Sequence, residues 1–225
     1  MYEQLKAGSG LIIMQVSANE VYQTARKACL AAGYLQDRAE DIAVATSWLQ
    51  CAGMMGCTVL DSLLADTQDK KDIQLGLHLE AGVLQISQCR PAFEGVASID
   101  WLLAADSGAQ IQIACLSHPV MFAGLLWQAG QAYQRQFRLV SEALEAPINI
   151  PDETVDSVAT CQQISGKLVV GISDSAPPPS FVASGHSVVS DAVWARLNAL
   201  AMQTYVPETE ASRLSGAGAG LVDDD

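Results

Sequence analysis

The sequence predicts an α/β fold, with α+β as its near neighbour: a helical N-terminal layer followed by a mixed sheet with packed helices. Three observations carry this. Capping-box patterns stand before two helix-period segments, at Ser17-Ala18-Asn19-Glu20 and Asp37-Arg38-Ala39-Glu40. After about residue 72 the hydrophobic period changes from helical to alternating. Of 225 residues, 50% are hydrophobic and 16% charged, which supplies a core and excludes a disordered or coiled-coil chain.

Residues 1–14 read as a loose leader, and 15–225 as one domain. Val21, Ala25, Ala28, Leu30 and Ala32 give the first helix its apolar face, and Gly33 stops it. Ile42, Ala43, Thr46, Trp48 and Leu49 do the same for the second, which ends at Gly53, and a third helix is expected near 58–65. Together residues 15–66 form the helical layer. A polar turn leads into the sheet-containing part, 72–173. Ile73, Leu75, Leu77 and Leu79 alternate with polar residues as a half-buried strand does, Glu80-Ala81-Gly82 is a turn, and Val83–Ile86 a second strand. A short helix near 98–105 follows. The strand from Gln110, the helix opened by Pro119 and the strand 136–140 make a βαβ-like unit. Two more strands are expected at 158–162 and 168–172. Residues 174–187 hold Pro177-Pro178-Pro179 and read as a proline-rich loop. Residues 188–225 hold a last helix, capped by Ser190 or Asp191, and a glycine-rich tail.

Twelve Lys and Arg against 25 Asp and Glu leave a net charge of −13, which disfavours nucleic acid and anionic membranes. No secretory signal is legible at the start. The stretch 107–134 lacks charge, but glutamines, His118 and Pro119 divide it into a strand and a helix too short to span a bilayer. The six cysteines form no CxxC pair and no zinc spacing, as in a reduced compartment; a cytoplasmic address is expected.

Few residues suggest chemistry. Gly216, Gly218 and Gly220 alternate with alanine and can offer backbone N–H groups to an anion, with Arg213 beside them as its anchor. Asp223-Asp224-Asp225 reads as an acidic tail before it reads as a metal site. His118 precedes Pro119 at a strand-to-helix junction, where α/β folds place ligand groups. His78 sits on a strand's polar face, and His186 in a loop. Arg90 completes the candidate ligand-binding set. Dinucleotide and phosphate loops, nucleophile elbow and paired-histidine zinc motif are absent, so neither cofactor nor metal is expected.

Two segments resemble a family of short bacterial proteins known only as a domain of unknown function. One runs from Ser17-Ala18-Asn19-Glu20 through Lys27-Ala28, Ala32-Gly33, Ala39-Glu40 and Trp48-Leu49 to Gly53; the other is Thr204-Tyr205-Val206-Pro207, Ser212-Arg213 and Gly216-Ala217-Gly218-Ala219-Gly220. The resemblance implies one whole-chain domain and brings no activity. The helical part is also similar to the malate/lactate dehydrogenases that lack the usual dinucleotide fold, through the Ala-Ala-Gly helix end, the Ala39–Ala43 face and Gly56. That family's catalytic histidine motif has no counterpart in Gly53-Met54-Met55-Gly56-Cys57-Thr58-Val59. The preferred expectation is a non-catalytic small-molecule-binding or accessory protein, with an anionic small molecule among its candidate partners. An enzyme using Arg90, His118, His186 and Arg213 is the second reading, and a structural subunit of a homo-oligomer the third.

Overall fold

A computed structural model describes residues 4–6, 12–67, 75–152, 156–173, 175 and 186–205. In chain order the elements are β1 (Gln4–Lys6), β2 (Ile12–Ser17), α1 (Ala18–Ala31), α2 (Gln36–Cys51), α3 (Gly56–Thr67), β3 (Leu77–Glu80), β4 (Val83–Ile86) and α4 (Val96–Ala104). There follow β5 (Gln110–Ile113), α5 (Pro119–Tyr133), β6 (Gln136–Ser141), β7 (Ile148–Ile150), α6 (Asp156–Thr160), β8 (Leu168–Ser173), β9 (His186–Ser190) and α7 (Asp191–Met202). A π-helical turn, Pro91–Gly95, leads into α4, and a 3₁₀ turn, Cys161–Gln163, follows α6.

The first capping box forms as its sequence dictates. The Glu20 amide donates to the Ser17 hydroxyl at 3.3 Å, and the Ser17 amide donates to the Glu20 carboxylate at 2.8 Å. The second does not form. Leu35 is the N-cap of α2, without a side-chain bond, and Asp37 lies inside the first turn, where a negative charge still favours the helix dipole. Gly56 shows why α3 begins two residues earlier than the apolar pattern suggests. A Cβ there would stand 2.2 Å from the Thr46 carbonyl oxygen and 2.8 Å from the Gln50 amide nitrogen, so α3 starts in direct backbone contact with α2.

Two sheets organise the strands. The smaller is antiparallel, in the order β1-β2-β9, with Ile13 opposite Ser190 and Ser17 opposite His186. It corrects two expectations. The stretch 1–14 contains β1 and half of β2, and His186 belongs to a strand rather than a loop. Strands β2 and β9 pair across 169 to 177 positions, beyond the reach of local pattern. The larger sheet is mixed, in the order β3-β4-β5-β8-β6-β7. Here β4 and β5 are parallel, while β8 lies antiparallel between β5 and β6. The βαβ-like unit is therefore real in direction but opened by an inserted strand. The strand expected at 158–162 is instead α6 with its 3₁₀ turn, burying Val158 and Cys161 one turn apart. So short an apolar run has no period long enough to separate strand from helix.

Leu84, Ile86, Ile111, Ile113, Leu168, Val170, Phe137 and Leu139 point from the larger sheet into the core, against α4 and α5. Gln85, Arg138 and Val140, on the other face, are exposed. Every residue from Val120 to Trp127 is buried, because α5 lies between the sheet and α2. This accounts for the charge-free stretch. No helix among the described residues is long and apolar enough to cross a membrane.

Candidate functional site

Parallel strands carry their ligand sites beyond their carboxyl ends. Here β4 and β5 run in register from Val83–Gln110 to Ile86–Ile113, and an isolated bridge between Cys89 and Leu116 holds their extensions together. The first extension passes through Gln88 and Arg90 into the π turn; the second passes through Ser117 and His118 into α5. Between them opens a cleft of about 140 Å³, walled by Leu63, Pro91, Ala92 and Phe93 and bearing Gln88, Arg90, Ser117, His118 and Asp66.

Arg90 is held by Glu94, four residues on. Its Nε donates to Oε2 at 2.9 Å, its Nη2 donates to Oε1, and its backbone amide donates to Oε2 at 3.1 Å. Glu94 is only 1% exposed. Burial pushes its carboxyl up, but the hydrogen bonds from Arg90 and the backbone, with the Arg90 charge, outweigh burial and hold it below the usual range. The Arg90 guanidinium also lies 5.3 Å from the Phe93 ring centre, with Arg38 over the same ring at 4.7 Å.

His118 is the N-cap of α5 and adopts left-handed backbone angles, φ 48° and ψ 60°, which cost a non-glycine residue about 1 kcal/mol. That conformation turns the chain sharply and aims the ring at α3. Its Nε2 lies 3.2 Å from the Ser62 hydroxyl and 3.5 Å from Asp66 Oδ2. Burial lowers the imidazole below its ordinary value, and Asp66 only partly restores it. Serine, histidine and aspartate thus meet, but on one ring nitrogen. A proton relay needs the hydroxyl on one nitrogen and the carboxylate on the other, so this trio positions a ring rather than activating a nucleophile. Burial pushes the thiols of Cys29, Cys57 and Cys161 up to about 12, far from thiolate chemistry.

The structure brings Arg90 and His118 to one cleft. Arg213, Gly216, Gly218, Gly220 and the terminal aspartates lie outside the described residues. His78 is exposed on β3, opposite Gln85 of β4, and does not line this cleft. Among the described residues no three His, Cys, Asp or Glu side chains group as a metal site. Sequence reasoning missed Ser62, Asp66, Gln88 and Glu94. The first two stand one turn apart on α3, and Glu94 stands one turn after Arg90; both spacings are visible, but neither names its partner.

No curated protein matches the chain. Solved structures similar to part of it include two malate dehydrogenases. Malate dehydrogenase from Entamoeba histolytica is 12% identical, over 68% of this chain and 47% of that one, with a TM-score of 0.41. Malate dehydrogenase from Pyrococcus horikoshii OT3 is 13% identical, over 68% of this chain and 46% of that one, with a TM-score of 0.44. The chain thus spans less than half the length of either. Residues 16–87, from the end of β2 through β4, match the model of a family described as protein of unknown function (DUF3726), and they include the whole stretch Ser17 to Gly53 that carries the first resemblance.

Proposed function

We propose that the chain is a non-catalytic binding protein for a small monocarboxylate, taken up in the Arg90–His118 cleft. The carrying observation is convergence. Two residues 28 positions apart meet beyond the carboxyl ends of adjacent parallel strands, beside the N-terminus of a buried helix. Donors from Arg90 and Gln88 stand against an apolar wall of Leu63, Pro91, Ala92 and Phe93, as a carboxylate with a short carbon chain requires. Glu94 already answers much of the Arg90 charge, which favours one carboxylate over a dianion. The single ring nitrogen shared by Ser62 and Asp66 favours binding over nucleophilic catalysis.

Thermal denaturation with acetate, propionate and butyrate tests this reading. Each acid should raise the melting temperature more than its uncharged amide does. His118→Ala should abolish the difference while leaving the circular-dichroism spectrum unchanged. Equal responses to acid and amide overturn the proposal.

A further inference from the structure

A second cleft, of about 190 Å³, opens between α2, α4 and α5. Its floor is aliphatic: Val96, Ile99 and Leu103 from α4, with Leu125 and Ala129 from α5. Its charged groups are both carboxylates. Asp41 comes from α2, Asp100 stands on α4, and Gln128 on α5 has a buried Oε1 without a hydrogen-bond partner among the described residues. Neither aspartate forms an ion pair or side-chain hydrogen bond among the described residues.

The surrounding charges do not supply a cation. Asp37 and Glu40 add negative potential at Asp41. Arg26 is engaged with Glu40 at 3.3 Å, and Arg38 covers the Phe93 ring. Tyr133, 63% exposed, sets an aromatic ring at the rim, a surface that attracts cations. Calcium or magnesium takes six or more oxygen ligands, and an aliphatic floor offers none of them. A cation with a carbon stem satisfies both halves of the cleft.

We propose that this cleft binds a small free organic cation with an aliphatic stem, an alkylammonium or alkylguanidinium. The head lies between Asp41 and Asp100, and the stem lies on Ile99, Leu103 and Leu125. Burial, then the charges of Asp100, Asp37 and Glu40, push the Asp41 carboxyl up. A bound cation reverses that repulsion, which gives the site an electrostatic reason to be filled.

Calorimetric titration of the full chain tests it, with n-butylammonium and n-butylguanidinium as probes. Both should bind, while n-butanol and potassium at matched ionic strength should not. Asp41→Asn with Asp100→Asn should weaken both by about tenfold or more, the effect of losing charge-assisted hydrogen bonds. Neither substitution removes a native partner, so the fold should persist. Should that variant misfold, the exposed Tyr133→Ala supplies an independent reading through a several-fold loss, while Glu142→Gln on a distant loop should change nothing. Unchanged affinity in the aspartate variant overturns the proposal, as does butanol binding as well as butylammonium. Binding confined to a lysine-containing peptide also overturns it, because the occupant is then a protein segment.

Discussion

At the N-terminal end of α5 the buried ionic groups are answered inside the fold: Glu94 by Arg90, and His118 by Ser62 and Asp66. Along the C-terminal half of the same helix, Asp41 and Asp100 face a cleft that offers them no counter-charge among the described residues. The first arrangement fixes side chains before any ligand arrives. The second leaves electrostatic free energy unspent. Charges that a fold satisfies serve position first, whereas charges it leaves repelling one another serve whatever comes to neutralise them.

Removing Arg90 breaks this contrast hardest. Arg90→Met leaves the Glu94 carboxylate, 1% exposed, without its cation, and should cost about 3–5 kcal/mol in urea unfolding. Adding Glu94→Leu should recover most of the loss, since the stranded charge goes with it. If Arg90→Met alone is nearly neutral, the pair is not the structural anchor of the first cleft.

Gly56→Ala sharpens the contrast by geometry. The added Cβ meets backbone atoms of α2, not a side chain that can swing away. Shifting α3 should cost roughly 1–3 kcal/mol. Because α3 carries Ser62 and Asp66, the shift should also loosen His118 and leave Asp41, on α2, against its own cleft. A ring-nitrogen chemical shift of His118 that moves with the substitution supports this coupling; an unchanged shift and unchanged stability contradict it.

What the sequence reveals follows the range of the interactions. The Ser17–Glu20 cap, the Ala81-Gly82 turn with φ 49° and 76°, and the Ser190 cap of α7 are local, and each reads directly from neighbouring residues. The smaller sheet does not, because Met14 finds Val189 only through the tertiary fold. Nor does α6, whose five residues are too few to display a period. The first cleft was half legible. His118 before Pro119 marks a strand-to-helix junction, but only strand order places Arg90 beside it. The second cleft was illegible, because Asp41, Asp100 and Gln128 stand on three helices. Each residue alone reads as a solvated helix position.

Acid titration separates the clefts through opposite slopes. His118 lies below its ordinary value in the native state, so the unfolded chain takes up that proton first. Stability should therefore fall as pH drops below about 6.5. Glu94 is likewise held down, and its contribution is lost as pH falls below about 4.3. Asp41 and Asp100 are raised, chiefly by burial and then by neighbouring carboxylates. The native state holds their protons more tightly, so the cost of their repulsion disappears on acidification. Replacing both by Asn should therefore raise stability at neutral pH, by only a few tenths of a kcal/mol because the site is partly solvated. It should also steepen the acid-side loss, because the compensating gain is gone. His118→Asn should do the reverse and flatten the slope just below neutrality. Urea unfolding between pH 7 and 4 reads both effects. An aspartate variant that is less stable than the parent at pH 7 would show that these carboxylates have a favourable partner in solution, and the opposition between the clefts would fail.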